Sequence, residues 1–217
     1  MLKNFLAKIN NTKTNSGMTF IELIVVIGIF GMIAGVALFN FGGFSSSVTL
    51  QNLSNQIALQ IKQAQTDSIS GKQALLFGTN RPSYGLVFSA SQNFNDLVNY
   101  KKIAYVADLN NDSEGLLSNC ASGAGNECLN NIEIQSSDII SNVCYYDNSW
   151  HCSGANSSDE LHVFFKRPFP DAMFKFGSFN LTGISRVAIE IQSAKGINKH
   201  IVVWKTGQIQ VESGKVI

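Results

Sequence analysis

The chain has 217 residues, 45% of them hydrophobic and only 14% charged, with a formal net charge of +1. That length suits one modest domain with an appendage, and the near-neutral balance excludes a global basic field for nucleic-acid binding, leaving only a local patch open. No block of like charge forms an interaction tail.

Residues 1–17, MLKNFLAKINNTKTNSG, carry Lys3, Lys8 and Lys13 and no acid. From Leu23 to Phe39, seventeen consecutive residues have neither a charge nor a polar side chain, and Ile21 and Phe41 extend the stretch. At ~1.5 Å rise per residue, roughly 20 helical residues cross a ~30 Å hydrocarbon layer, so this run reads as a membrane span. The lysines ahead of it place that end in the cytoplasm and the remainder outside. A secretory signal peptide shares the basic start and apolar core, but VALFNFGGFSSS offers only a poor A-x-A cleavage site. A plain single-pass anchor fits better, yet it leaves Glu22 without a reason.

An unpaired carboxylate at the edge of a bilayer costs several kcal/mol unless it finds a cation. No Lys or Arg occurs between Lys13 and Lys62. A new amino terminus at Met18, four residues before Glu22, would supply one, on the same chain or on a neighbouring copy. Gly17, Met18, Thr19, Phe20, Ile21 and Glu22, followed by LIVVIGIFGMIAG, closely resemble the prepilin signature of type IV pilins and type II secretion pseudopilins. The resemblance implies that a prepilin peptidase cuts between Gly17 and Met18 on the cytoplasmic side and methylates the Met18 amine. It also implies that Glu22 pairs with that amine on an adjacent subunit.

Two departures from the family pattern stand out. Met18 occupies a position where phenylalanine is commoner, and no proline interrupts the apolar run, where many major pilins carry one. Gly28, Gly31, Gly35, Gly42 and Gly43 offer flexibility instead, at about 1 kcal/mol of helix stability each relative to alanine. Gly31 and Gly35 form a G-x-x-x-G pair, which lets helices approach closely in a membrane; glycine is also simply frequent in spanning helices.

After FGGFSSS, residues 44–71 read as an amphipathic continuation of the helix. Leu50, Leu53, Ile57, Ile61, Ala64 and Ser68 recur at three- and four-residue steps and predict one buried stripe. Beyond Gly71 the pattern changes to short β-prone runs at 73–78, 84–89, 100–107, 132–135, 143–146, 161–166, 185–192, 199–205 and 208–212. The last three predict consecutive hairpins, with KTGQ supplying a turn glycine. Helix first and strands afterwards make the expected fold α+β: a leader at 1–17, a spanning helix at 18–41, its continuation at 44–71, and a β-rich domain at 72–217. Residues 110–160, rich in Asn, Ser and Gly, read as a variable insertion of surface loops where specific contacts would reside. The helix LQNLSNQIALQIKQAQTDSIS, the YGLVF strand and the closing RVAIEIQ and HIVVWKTGQIQV segments resemble the H-type minor pseudopilins and related minor pilins, over 47–109 and 161–212.

The four cysteines, Cys120, Cys128, Cys144 and Cys152, fall in that insertion, and an even count outside the membrane favours disulfides over metal. Three connectivities are open; the preferred one pairs Cys120 with Cys128 and Cys144 with Cys152, closing short loops of equal spacing. His151 beside Cys152, taken with His162, lacks the spacing of a zinc finger. In DLNNDSEG, Asp108, Asn110, Asp112 and Glu114 alternate as in D-x-[DN]-x-[DN] calcium loops, but Ser113 stands where glycine is wanted, and an Asx-rich turn is the alternative. Calcium sites occur among pilin-like proteins, so the resemblance supports calcium as the one candidate cofactor.

No G-x-S-x-G elbow, H-E-x-x-H helix, phosphate loop or dinucleotide fingerprint appears, so the expected role is not enzymatic. His151, His162 and His200 are scattered, the last two within strand patterns. Lys101, Lys102, Lys166, Arg167, Lys195 and Lys199 are candidates for a basic patch that would bind DNA. The expected function is a minor pilin or pseudopilin in the cytoplasmic membrane, assembled into a type IV pilus or type II secretion filament. Its partners would be a prepilin peptidase, other subunits and an assembly platform. The alternatives are an anchored extracytoplasmic binding protein for DNA, a surface or cargo, and an anchored hydrolase.

Overall fold

A computed structural model of the chain describes residues 17–73, 81–92, 98–109, 127–157 and 159–216. One helix, α1 (Phe20–Ile69), contains both the apolar run and the amphipathic stretch, and the Gly42–Gly43 pair does not interrupt it. With no proline in its interior, no backbone donor is lost, and two adjacent glycines weaken a helix without forbidding it. The chain divides into two units at Gly42 and Gly43. In the first, the helix presents its apolar side chains outward: Phe20, Phe30, Met32 and Leu38 are 79%, 71%, 76% and 75% exposed.

In the second unit the remainder of α1 buries the stripe read from the sequence. Leu50, Leu53, Ile57, Ile61, Ala64 and Ser68 are all buried. The helix ends on Gly71, whose φ of 63° suits a residue without Cβ. There Lys72 N donates to Asp67 O and Gly71 N to Ser68 O, both at 3.1 Å, satisfying carbonyls that the helix leaves open.

Two antiparallel sheets complete this unit. Sheet A contains β1 (Ser83–Ser89), β2 (Lys102–Asp108), β3 (Cys128–Glu133), β6 (Glu160–Phe165), β7 (Ala172–Phe176) and β8 (Phe179–Asn180), in the order β3-β2-β1-β6-β7-β8. Sheet B contains β4 (Ile139–Asp147), β5 (Ser149–Gly154), β9 (Arg186–Gln192), β10 (Asn198–Trp204) and β11 (Ile209–Ser213), in the order β11-β10-β9-β4-β5. Alternate residues of both sheets meet the helix stripe in one core. Tyr84, Leu86 and Phe88 come from β1, Leu161, Val163 and Phe165 from β6, and Val187, Ile189 and Ile191 from β9. Period-two alternation produces this inward set, and burying each large aliphatic side chain contributes ~1.5–3 kcal/mol.

β1 is buried at every position because β2 and β6 flank it and both of its faces are covered. Gly85 is required there: a Cβ would stand 2.5 Å from both the Phe164 side chain and the Val163 carbonyl of β6. β9, β10 and β11 form the expected run of hairpins. In the KTGQ turn Gly207 adopts φ 81°, and a Cβ there would collide with Pro170 O and Gln65 Nε2.

The segment expected to be surface loops contributes three strands, β3, β4 and β5. β3 forms an edge of sheet A, and β4 lies inside sheet B between β9 and β5, with Ile140 and Val143 in the core. Pairing on both sides gives β4 its nine residues, longer than the 143–146 run that hydrophobicity alone marks. β5, β7 and β8 have no counterpart among the expected strands. The run expected at 73–78 falls almost wholly outside the described residues.

Candidate functional site

The residues expected to direct processing and assembly sit at the start of α1. Gly17, Met18 and Thr19 precede the helix, and all three are exposed. Thr19 is the N-cap, and Glu22 is the third helical residue. Thr19 N and Thr19 Oγ1 both donate to Glu22 Oε2, at 2.8 and 2.9 Å, and Glu22 N donates back to Thr19 Oγ1 at 3.3 Å. This is a reciprocal capping box, which satisfies donors that every helix start leaves open, and the carboxylate also lies favourably at the positive end of the helix dipole. Both bonds to Glu22 fall on Oε2; Oε1 carries neither. Met18, Ile21, Glu22, Val25 and Val26 line a shallow groove along the first turns. A Cβ at Gly31 or Gly35, the pair expected to let helices approach, would meet open space within this chain. By length and composition α1 is able to cross a membrane.

The other predicted site residues are spread over the second unit. Cys144 and Cys152 form a disulfide and stand directly opposite each other in the β4–β5 hairpin. Cys128 is buried at the first position of β3; Cys120 lies outside the described residues, and so does the pairing expected between them. Asp108 is buried at the end of β2, while Asn110, Asp112 and Glu114 lie outside the described residues. Among the described residues no cluster of three His, Cys, Asp or Glu side chains is placed to hold a metal.

The three histidines do not converge. His151 stacks on Tyr145 at 5.0 Å on β5, and its neighbour Cys152 has no thiolate to offer because it is oxidised. His162 is buried on β6 of the other sheet, with Nε2 3.4 Å from Glu160 Oε1. His200, on β10, lies 3.1 Å from Glu212 Oε2 through Nε2 and 3.1 Å from Gly214 O through Nδ1.

The six cations offered for a basic patch do not form one. Lys199 Nζ donates to Gln51 Oε1 at 2.5 Å, and Lys101 Nζ to Ser136 O at 2.6 Å. Arg167 instead lies beside Gly71, with Arg81, at the far end of α1. From Gln51 to Ile69 the helix axis covers roughly 27 Å, so these cations belong to two separate ends of the domain.

No family model, curated protein or solved structure matches the chain.

Three polar features escaped the sequence reading. The capping box was visible as T-x-x-E ahead of an apolar run. Gln65, buried on α1, donates through Nε2 to Pro170 O at 2.9 Å and Gly207 O at 3.1 Å, joining the helix to two loops; a lone glutamine carries no sequence signal for this. Asp67 Oδ2 accepts from the Tyr105 hydroxyl at 2.9 Å and pairs with Lys72 Nζ at 2.6 Å. Burial, then the hydrogen bond and charge of Asp67, push the Tyr105 hydroxyl well above the ordinary tyrosine range, and burial followed by Asp67 raises Tyr84 as well.

Proposed function

We propose that the chain is a minor pilin or pseudopilin, a filament subunit processed after Gly17 and assembled through α1. The reading rests on one observation: a carboxylate, Glu22, fixed in the first turn of α1, at the head of an apolar stretch whose large side chains, such as Phe20, Phe30, Met32 and Leu38, are exposed. A cut between Gly17 and Met18 releases an ammonium beside that turn. In a membrane or filament core, charge on either group alone costs several kcal/mol, and pairing them offsets it. The capping box holds Glu22 by one oxygen, and the other accepts the Met18 ammonium of a neighbouring copy, which sets the register between subunits. Contacts of this head-to-tail kind do not close, so they generate an open helical polymer with the two-sheet domain on its outside. In the precursor the same helix spans the cytoplasmic membrane, with the two-sheet domain extracytoplasmic.

The test is the intact mass of the chain recovered from its native membrane. The reading predicts a product starting at Met18 and carrying one added methyl group, and a bulky substitution at Gly17 that leaves the leader attached. A recovered chain that keeps residues 1–17 would refute it.

The capping box supports a second reading, a single-pass anchor bearing an extracytoplasmic binding domain, because Thr19 gives Glu22 a purely local role. Under that reading the charge of Glu22 is dispensable and only its hydrogen-bond acceptor matters.

A further inference from the structure

The face of sheet B opposite the main core carries a row of four large side chains from four strands. Trp204 on β10 stands directly opposite Arg186 on β9, and Trp150 on β5 opposite Tyr146 on β4. One step beyond the Tyr145–Val187 pair, Tyr146 comes level with Arg186. Because β9 lies between β10 and β4, Arg186 is walled on both flanks. Its Cζ is 4.3 Å from the Tyr146 ring centroid, 4.8 Å from that of Trp204 and 5.2 Å from that of Trp150. The next row holds the Cys144–Cys152 disulfide, Ala188 and Val202, an apolar cluster of its own that fixes the strands beneath the rings.

Contacts between a guanidinium and ring faces are favourable, but they leave its N–H groups without acceptors. Arg186 Nε and Trp204 Nε1 are both buried and carry no hydrogen bond. Among the described residues no carboxylate forms an ion pair with Arg186. Arg186 is only half-buried, and with no carboxylate partner among the described residues its guanidinium is open to an acceptor from outside the chain.

We propose that this slot takes a carboxylate from an acidic polypeptide segment, with Arg186 as its seat. The guanidinium is a planar fork of donors that matches a carboxylate at two points. A planar carboxylate can lie in the plane of the guanidinium and take two of its donors at once. The ring faces over which Arg186 lies are taken up by the cation and are not free to stack on a sugar, which disfavours a uronate. The site rests on sheet B alone and is independent of how α1 is used.

Trp150 and Trp204 are the only two tryptophans of the chain, so its intrinsic emission reports on this row. The full chain in neutral detergent micelles is titrated with a short capped oligoglutamate peptide, and in separate arms with inorganic phosphate and with glucuronate at matched ionic strength. The expected result is a saturable emission change with the peptide, roughly tenfold weaker in Arg186→Lys, which keeps the charge but loses the fork, and absent in Arg186→Gln. A flat response in the parent chain, an unchanged response in Arg186→Gln, or tighter binding of phosphate or glucuronate than of peptide overturns the proposal. If Arg186→Gln does not unfold cooperatively, Arg186→Lys decides, and an unchanged affinity there overturns it equally.

Discussion

Thr19 and Glu22 hold each other across the first turn of α1, with Glu22 Oε2 accepting from both the amide and the hydroxyl of Thr19. The acid that a transmembrane anchor leaves unexplained thus has a local partner before any other chain is present. Local capping and intersubunit pairing make different demands on the same side chain, and substitutions separate them.

Thr19→Ala removes the cap and its hydroxyl while leaving Glu22 charged. It is expected to weaken the helix start by about 1 kcal/mol. In micelles, the Glu22 amide, which donates to Thr19 Oγ1, then exchanges its hydrogen faster, while amides near Ile61 are unaffected.

Gln65→Leu keeps most of the side-chain volume but leaves the carbonyls of Pro170 and Gly207 without their donor. The bond to Gly207 O is buried, and a buried acceptor left unmet costs about 1–3 kcal/mol, so the urea midpoint should fall by the equivalent of roughly 1–3 kcal/mol. Retention of the parent midpoint would show that water replaces the amide.

Tyr105 contributes to an alkaline decline in the stability of the domain. Its hydroxyl is held protonated by burial and by Asp67, so as pH passes the ordinary value of about 10 the unfolded chain gives up this proton while the folded chain keeps it. Stability from this group is complete below that value and falls above it, by about 1.4 kcal/mol per pH unit. Tyr105→Phe is expected to be about 1 kcal/mol less stable at neutral pH, where Asp67 loses its donor, and to show a shallower alkaline decline. Unfolding measured across pH 7 to 12 checks both.

Replacing Cys144 and Cys152 together by serine removes a link across a short loop between β4 and β5. Loop entropy gives an expected loss of about 2–3 kcal/mol. Because the hairpin carries Trp150, tryptophan emission should shift under native conditions as well, which a disulfide remote from the row would not cause.

What was legible in the sequence follows from periodicity. The stripe from Leu50 to Ser68 repeats at helical spacing and is buried throughout, and β9, β10 and β11 alternate cleanly around a turn glycine. β7 escaped because RPFPD precedes it and prolines argue against a strand, yet β6 supplies its partner. Only 143–146 of β4 is marked by the sequence and β5 not at all, because Asn, Ser and Cys dilute their pattern, and β4 is paired by β9, far along the chain. The Thr19–Glu22 box stands in the sequence as T-x-x-E ahead of an apolar run. The Arg186 row was not readable, since its rings lie at 146, 150 and 204 and only the register of three strand pairs aligns them.

The most direct test of the assembly account is Glu22→Gln. Glutamine still serves a capping box, so helix content and membrane insertion should match the parent chain, while the charge needed to meet a Met18 ammonium is gone. Co-expressed with the parent, the variant is predicted to be processed normally yet to enter sheared filaments at least roughly tenfold less often, the loss of one charge pairing of about 1.4 kcal/mol or more. Incorporation at the parental level would contradict the account and leave Glu22 as a cap alone.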